Sequence, residues 1–381
     1  MNEANAGKSR ALFVSFITRF SFIFTLQAIP PLFPMIVQEF KIGFTAASSL
    51  MLLVALPGLF ISILGALLTG RYGIKKLLTI GLLICVLSSL LCFISETILF
   101  LQFSRFLLGV GGAIAVVAAS ILLYQWFEKG NLGMAMGFFG FCMPFGTVVA
   151  FNSLGIMALI HGWRASILIT AVVNLIALVT TILLTEERKD IHPGKITFKT
   201  FRNVDIWILG LAWALFNMAM LGYSTWGKTV FTRYYGLSLE FSDLLAGMLM
   251  IGAFIQPLSG YISDIIGKRK ILIIISQAAI FILILLFPKL PSTYYLALAL
   301  LIGLIASFII PNIFALSGEL LGVKKGALGF GITNTFLNLG IILGPLSLGY
   351  VLDSTDSSYL FFVSMAIFVL LALIFSSIIR S

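Results

Sequence analysis

The sequence predicts an all-α integral membrane protein: twelve transmembrane helices, arranged as two six-helix bundles in a pseudo-twofold repeat. Three observations carry that expectation. The chain has 381 residues, 60% of them hydrophobic and only 10% charged, and a water-soluble fold of this length could not cover so much apolar surface. Apolar runs of roughly 18 to 25 residues, the length that crosses a bilayer, recur along it. A short charged turn also occurs twice, as Ala66-Leu-Leu-Thr-Gly70-Arg71-Tyr-Gly73-Ile-Lys75-Lys76 and Gly260-Tyr-Ile-Ser-Asp264-Ile-Ile-Gly267-Lys268-Arg269-Lys270. Gly267 minus Gly73 and Lys270 minus Lys76 are both 194 positions.

Taken in order, the runs are 11–36, 45–69, 77–95, 97–126, 132–158 and 165–185, then 206–228, 241–263, 270–288, 293–318, 326–350 and 358–379. The polar residues from Met1 to Arg10 lead into a first run too long for a signal peptide and without a small-residue cleavage site, so that run reads as a retained helix. Residues 1–185 form the first bundle and 206–381 the second. Between them, 186–205 is the longest polar segment, and Pro193-Gly194 argues against a continuous helix through it.

The spacing of 194 recurs beyond the turns: Gly109 matches Gly303, Gly137 matches Gly331 and Gly146 matches Gly340. A shared offset across four helices points to a parallel repeat about an axis along the membrane normal. Basic residues then set the orientation. With the N-terminus inside, 17 Lys and Arg fall on the cytoplasmic side, five (Lys41, Arg164, Lys228, Arg233, Lys289) fall outside, and Arg19 and Arg105 remain within helices. That asymmetry places both termini in the cytoplasm.

The turn at Gly260 joins two apolar runs through so few residues that they must be antiparallel neighbours. Gly260 lets helices approach closely, Gly267 supplies a bend, and the basic triplet holds the turn in water. The pattern Gly-x-x-x-Asp-x-x-Gly-Lys-Arg resembles the signature loop of the major facilitator superfamily of membrane transporters. Leu101-Gln-Phe-Ser-Arg105-Phe-Leu-Leu-Gly109-Val-Gly111-Gly112-Ala resembles its second motif, an arginine four residues before a glycine cluster. The resemblance runs the length of the chain and implies that fold, with alternating access as the mechanism. It further implies that Asp264 latches a cytoplasmic gate by facing a helix N-terminus, with Gly260, Gly267, Arg269, Gly73, Arg71 and Gly109 as the other gating positions. The first turn departs from the family pattern: Gly70 stands where the acid belongs, so the two halves should gate unequally.

Other signals weigh less. Met143-Pro144 stands where the family's drug/proton antiporters carry Gly-Pro, while Gly340-Ile-Ile-Leu-Gly344-Pro345 appears in the eleventh run; a kinked, close-packed helix accounts for both. Gly222-Tyr-Ser-Thr-Trp-Gly227-Lys228-Thr229 matches a phosphate-binding loop letter for letter, but closes an apolar helix and follows no strand. The formal charge of +10 lies in short loop clusters, the pattern of a membrane-facing surface and not of a nucleic-acid binder. Cys85, Cys92 and Cys142 sit in apolar runs without metal-ligand spacing. The two histidines, His161 and His192, lie in loops on opposite sides, so no metal, cofactor or catalytic centre is expected and the protein is not an enzyme.

What remains is the chemistry of the spans. All fourteen acidic residues fall in termini, loops or helix ends, whereas proton-coupled exporters of cations generally need an intramembrane carboxylate. Arg19 and Arg105 instead favour an anion by Coulomb attraction. Arg19 meets substrate or a gate, snorkels toward headgroups, or pairs structurally within the bundle. Gln27, Trp213, Asn217, Asn312 and Asn338 are the polar and aromatic side chains placed to line a pathway with the two arginines. Gln125-Trp126-Phe127 and Gly162-Trp163-Arg164 resemble the branches that carry nitrate, cyanate, oxalate and other small anions. The expected function is secondary active transport of a small organic or inorganic anion, with efflux of hydrophobic or drug-like compounds as the alternative. The expected partners are that solute, a proton as optional co-substrate, and membrane lipids. Nucleic acid is not among them. A monomer in the plasma (cytoplasmic) membrane is the expected state.

Overall fold

The computed structural model describes residues 3–42, 44–127, 130–186, 198–322 and 325–380. Among the described residues there are sixteen α-helices: α1 Glu3–Leu26, α2 Phe33–Phe40, α3 Phe44–Tyr72, α4 Ile74–Phe93, α5 Ile98–Phe127, α6 Leu132–His161, α7 Trp163–Leu184, α8 Phe198–Phe201, α9 Val204–Tyr235, α10 Leu239–Gly252, α11 Gln256–Ile266, α12 Arg269–Leu286, α13 Tyr295–Ala306, α14 Ile309–Leu321, α15 Gly326–Thr355 and α16 Ser358–Ile378. They compose twelve stretches long and apolar enough to cross a membrane, the number expected from the apolar runs. A helix is what such a run must form in lipid, because it satisfies every backbone donor and acceptor within the segment.

Three of the twelve stretches are broken, which hydropathy alone does not reveal. The first run divides after Leu26, where Pro30 and Pro31 impose a short 3₁₀ turn, Pro30–Leu32, before α2. The eighth divides at the 3₁₀ turn Ala253–Ile255 ahead of Gln256-Pro257, and the tenth at Ser307 and Phe308 ahead of Pro311. Asn203, Ser238 and Ser357 cap α9, α10 and α16, each accepting a backbone N–H of the first turn. The expected linker 186–205 falls largely on residues 187–197, outside the described residues.

The chain divides into two compact units. The first comprises residues 1–130, 142–197 and 321–334, and the second 131–141, 198–320 and 335–381. In the first unit, α5 packs against α1, α3 and α4, and α7 packs against α1 and α4. One core cluster there gathers Phe24, Ile29, Leu32, Ile36, Leu50, Leu101, Leu154, Trp163 and Ile167. Glu39 ties this end together: it accepts the Trp163 indole N–H at 2.6 Å and pairs with Arg164 at 2.6 Å, while Arg164 also donates to the Ser95 carbonyl at 2.8 Å. In the second unit α9 and α12 pack on α16, and α10 on α13. Tyr223, Phe231, Tyr235, Phe287, Tyr295 and Phe362 form one ring cluster there, with Phe287 and Phe362 stacked at 5.0 Å. Large aliphatics on both units remain bare, including Leu159 (79% exposed) and Ile265 (69%), as a lipid-facing surface requires.

The spacing of 194 reappears as matched contacts. A Cβ on Gly109 would lie 2.3 Å from the Val54 carbonyl oxygen, and one on Gly303 would lie 3.0 Å from that of Met248. A Cβ on Gly137 would lie 2.3 Å from the Gln256 carbonyl oxygen, and one on Gly331 would lie 2.7 Å from that of Ser62. Gly146 abuts Ile23, and Gly340 abuts Asn217. In every case the contacting positions map onto each other through the 194 offset, both forward for Gly109 and Gly146 and in opposite directions for Gly137 and Gln256, so the repeat is one of helix packing and not of letters alone.

Candidate functional site

The second-unit turn is built for close approach. Gly260 of α11 faces Gly133 in the first turn of α6, and a Cβ on Gly260 would sit 2.0 Å from the Gly133 carbonyl oxygen. With backbones this near, the Asp264 carboxylate reaches the open end of α6. Its Oδ1 accepts the Gly133 N–H at 2.8 Å and its Oδ2 the Met134 N–H at 2.9 Å. These N–H groups have no partner within their own helix, and the helix dipole favours an anion at that end. Gly267, at φ 68°, ends α11 and turns the chain. Arg269 then folds back, donating from Nη2 to Asp264 at 2.8 Å and from Nε to Glu319 at 2.7 Å. Its Nη1 donates to the Ser263 hydroxyl at 3.2 Å, and Ser263 in turn donates to Asn312 Oδ1. Asp264 and Arg269 are only 10% and 11% exposed, so water screens this network weakly.

Glu319 and Ser263 were not among the residues singled out from sequence. The signal was the offset itself. Shifting Asp264, Arg269 and Glu319 back by 194 gives Gly70, Lys75 and Gln125, so of the three charges only the cation has a counterpart in the first unit. There, Gly73 N-caps α4 at φ 87°, and Arg71 and Lys76 lie over the Tyr72 ring at 5.4 and 5.3 Å.

Arg105 is buried, and its donors go to backbone carbonyls. Nε donates to Leu50 at 3.1 Å, Nη1 to Thr25 at 2.9 Å and Nη2 to Leu26 at 2.8 Å. Thr25 and Leu26 are the last residues of α1, whose end carbonyls lose their partners where the helix breaks. The guanidinium therefore caps α1. Gln27, just past the break, donates to the Thr147 hydroxyl at 3.2 Å.

Arg19 is 7% exposed, its side chain packed within the protein. Phe16 and Phe20 flank it and stack at 6.2 Å, and Phe145 of α6 lies 5.5 Å from Phe20. In the second unit the position 194 further on is Trp213, 2% exposed, stacked on Phe216 and edge-on to Phe314. Among the described residues the buried Trp213 indole N–H meets no hydrogen-bond acceptor. Asn217, one turn along, donates to the Trp213 carbonyl at 2.7 Å, and Asn312 donates to that of Phe308 at 2.6 Å. Asn338 lies in α15. The two units thus divide the residues expected together from sequence: Arg19, Gln27 and Arg105 in the first, Trp213, Asn217, Asn312 and Asn338 in the second. Among the described residues no group of His, Cys, Asp or Glu is placed to hold a metal, and His161 ends α6 rather than lying in a loop.

Twelve membrane-capable helices, a repeated glycine packing and a carboxylate on a helix end define a multi-pass helical membrane protein with a transporter-type turn. The Major Facilitator Superfamily model matches residues 15–287 and 230–380, and the chain belongs to that family of transporters. It is 23% identical over 350 residues to the probable nitrate transporter NarT of Staphylococcus carnosus (strain TM300), covering 91% of this chain and 89% of that one. It is 25% identical over 255 residues to the probable nitrate/nitrite antiporter NarK1 of Thermus thermophilus, covering 62% and 56%. The crystal structure of the human organic anion transporter MFSD10 (TETRAN) superposes with a TM-score of 0.79 at 12% identity, covering 97% and 99%, a likeness of fold.

Proposed function

We propose that this transporter carries a small anion by alternating access. The observation that supports the reading is the kind of polar group buried in the spans: hydrogen-bond donors, one of them a cation. The Arg19 guanidinium in α1 and the unaccepted indole N–H of Trp213 in α9 both offer hydrogens to an acceptor. None of the fourteen acidic residues falls mid-span to oppose an anion. An anion is the solute such groups stabilise, and a guanidinium presents two parallel N–H groups to a planar oxyanion. Nitrate and nitrite, named for the relatives, have that shape. Uniport, exchange and proton symport are all compatible with this reading.

Asp264 acts in this reading as the latch of a cytoplasmic gate, its carboxylate holding the first turn of α6 against α11 while that side is closed. The orientation, with both termini cytoplasmic in the plasma membrane, is supported by the 17-to-five excess of basic residues. In this reading two six-helix bundles, 1–185 and 206–381, work as a monomer. A second reading, export of hydrophobic compounds, draws on the stacked rings of Phe16, Phe20, Phe24 and Phe145.

The test is a ligand panel on purified protein, read as melting temperature, followed by flux in proteoliposomes. Stabilisation and uptake with nitrate, nitrite or small carboxylates support the proposal, because a ligand bound to the native state stabilises it by mass action. Stabilisation by lipophilic cations alone overturns it in favour of the second reading. Labelling of single cysteines placed at Lys268 and Glu240 from opposite sides supports the orientation; labelling from one side overturns it.

A further inference from the structure

Away from the transport residues, the second unit carries a cavity of about 620 Å³ at the foot of α9 and α16, lined by Arg202, Asn203, Val204, Asp205, Ile208, Ile378 and Arg380. Most of its polar walls are already engaged. Asn203 caps α9 through Asp205 and donates to the Leu320 carbonyl at 3.3 Å. Asp205 accepts the backbone N–H of Arg380 at 3.1 Å, and Lys270 donates to the neighbouring Ile379 carbonyl. These bonds fix the end of α16 against the start of α9. They leave two groups over: among the described residues, no hydrogen bond or ion pair engages either the Arg202 or the Arg380 guanidinium. Beside these cations the wall is bare hydrocarbon, with Val204 64% and Ile378 55% exposed. With Asp205 offsetting one charge the lining keeps a net positive charge, and Lys270 adds a third cation close by.

We infer that this cavity binds the phosphate headgroup of an anionic phospholipid. Two uncommitted guanidiniums recognise a phosphodiester through paired N–H donors. The ends of two spanning helices place them at the lipid–water boundary, and the exposed aliphatics beside them suit the first carbons of an acyl chain. A free phosphate offers the same charge but no use for Val204 and Ile378. The inference rests on the family's membrane location and not on which solute is carried.

The experiment is native mass spectrometry of the intact protein released from mixed micelles holding equal mole fractions of phosphatidylglycerol and phosphatidylcholine. Wild-type protein should retain phosphatidylglycerol preferentially. R202Q/R380Q should lower that retention at least about fivefold and leave phosphatidylcholine unchanged, whereas K41Q/K289Q, which removes two cations elsewhere, should change neither. Both arginines are exposed, so the single variants R202Q and R380Q give the same readout should the double variant not purify. Wild-type retention of phosphatidylglycerol by the arginine variants overturns the inference. So does displacement of the lipid by an equal concentration of glycerol phosphate, which would mark a soluble-anion site.

Discussion

Asp264 accepts the backbone N–H of Gly133 at 2.8 Å across 131 positions of sequence, and does so only because Gly260 lets the two helices touch. Two N–H donors and the Arg269 guanidinium share that one carboxylate. Asp264→Asn keeps the shape, removes the charge and turns an amide hydrogen toward an N–H donor. Hydrogen bonds to a charged group contribute about 1.5–3 kcal/mol each. Substrate flux in proteoliposomes should therefore fall by roughly an order of magnitude or more at near-normal expression. Wild-type flux in Asp264→Asn would remove the latch from the mechanism.

Gly260→Ala tests the approach rather than the charge. Its Cβ would lie 2.0 Å from a backbone oxygen that cannot rotate away, so α6 and α11 must part. The expected outcome is a melting point lowered by the equivalent of about 1–3 kcal/mol, with flux impaired as in Asp264→Asn. Gly267→Ala differs in kind: nothing crowds that position, but φ 68° strains any residue with a Cβ. An unchanged melting point in Gly260→Ala would show that the helices pack less closely than described.

Arg105 offers a contrast between fork and point charge. Lysine cannot serve the Leu50, Thr25 and Leu26 carbonyls at once. Arg105→Lys should lower the melting point while the folded fraction keeps its substrate affinity. Lost affinity at an unchanged melting point would instead place Arg105 on the substrate.

For Arg19 the expectation runs the other way. Arg19→Lys should weaken anion affinity measurably and Arg19→Ala should nearly abolish it, since a planar fork pairs with an oxyanion better than an ammonium does. Affinity is to be measured on correctly inserted protein by equilibrium binding. Unchanged affinity in Arg19→Ala would leave Trp213 as the remaining donor to examine, through Trp213→Phe.

Much of this was legible in the chain. The twelve spans follow from run length alone, and the turn at Gly260 announced both the glycine approach and the acid. Three things were not legible, each for a physical reason. The break after Leu26 hides because Ala28, Ile29 and Leu32 keep the run apolar while the backbone leaves the helix. Arg105 read as a candidate for substrate because its carbonyl partners exist only where that break frees them. Glu319 escaped notice because its partner lies 50 positions away, and no local pattern links the end of one span to the start of another.

The matched contacts also record what a duplicated chain is free to change. Where backbone meets backbone, as at Gly109 and Gly303 or Gly137 and Gly331, both copies remain glycine, because any larger residue would be rejected by shape in either half. Where side chains carry chemistry, the copies have parted: Arg19 against Trp213, Asp264 against Gly70, Glu319 against Gln125. Symmetry here belongs to the frame and individuality to what the frame holds.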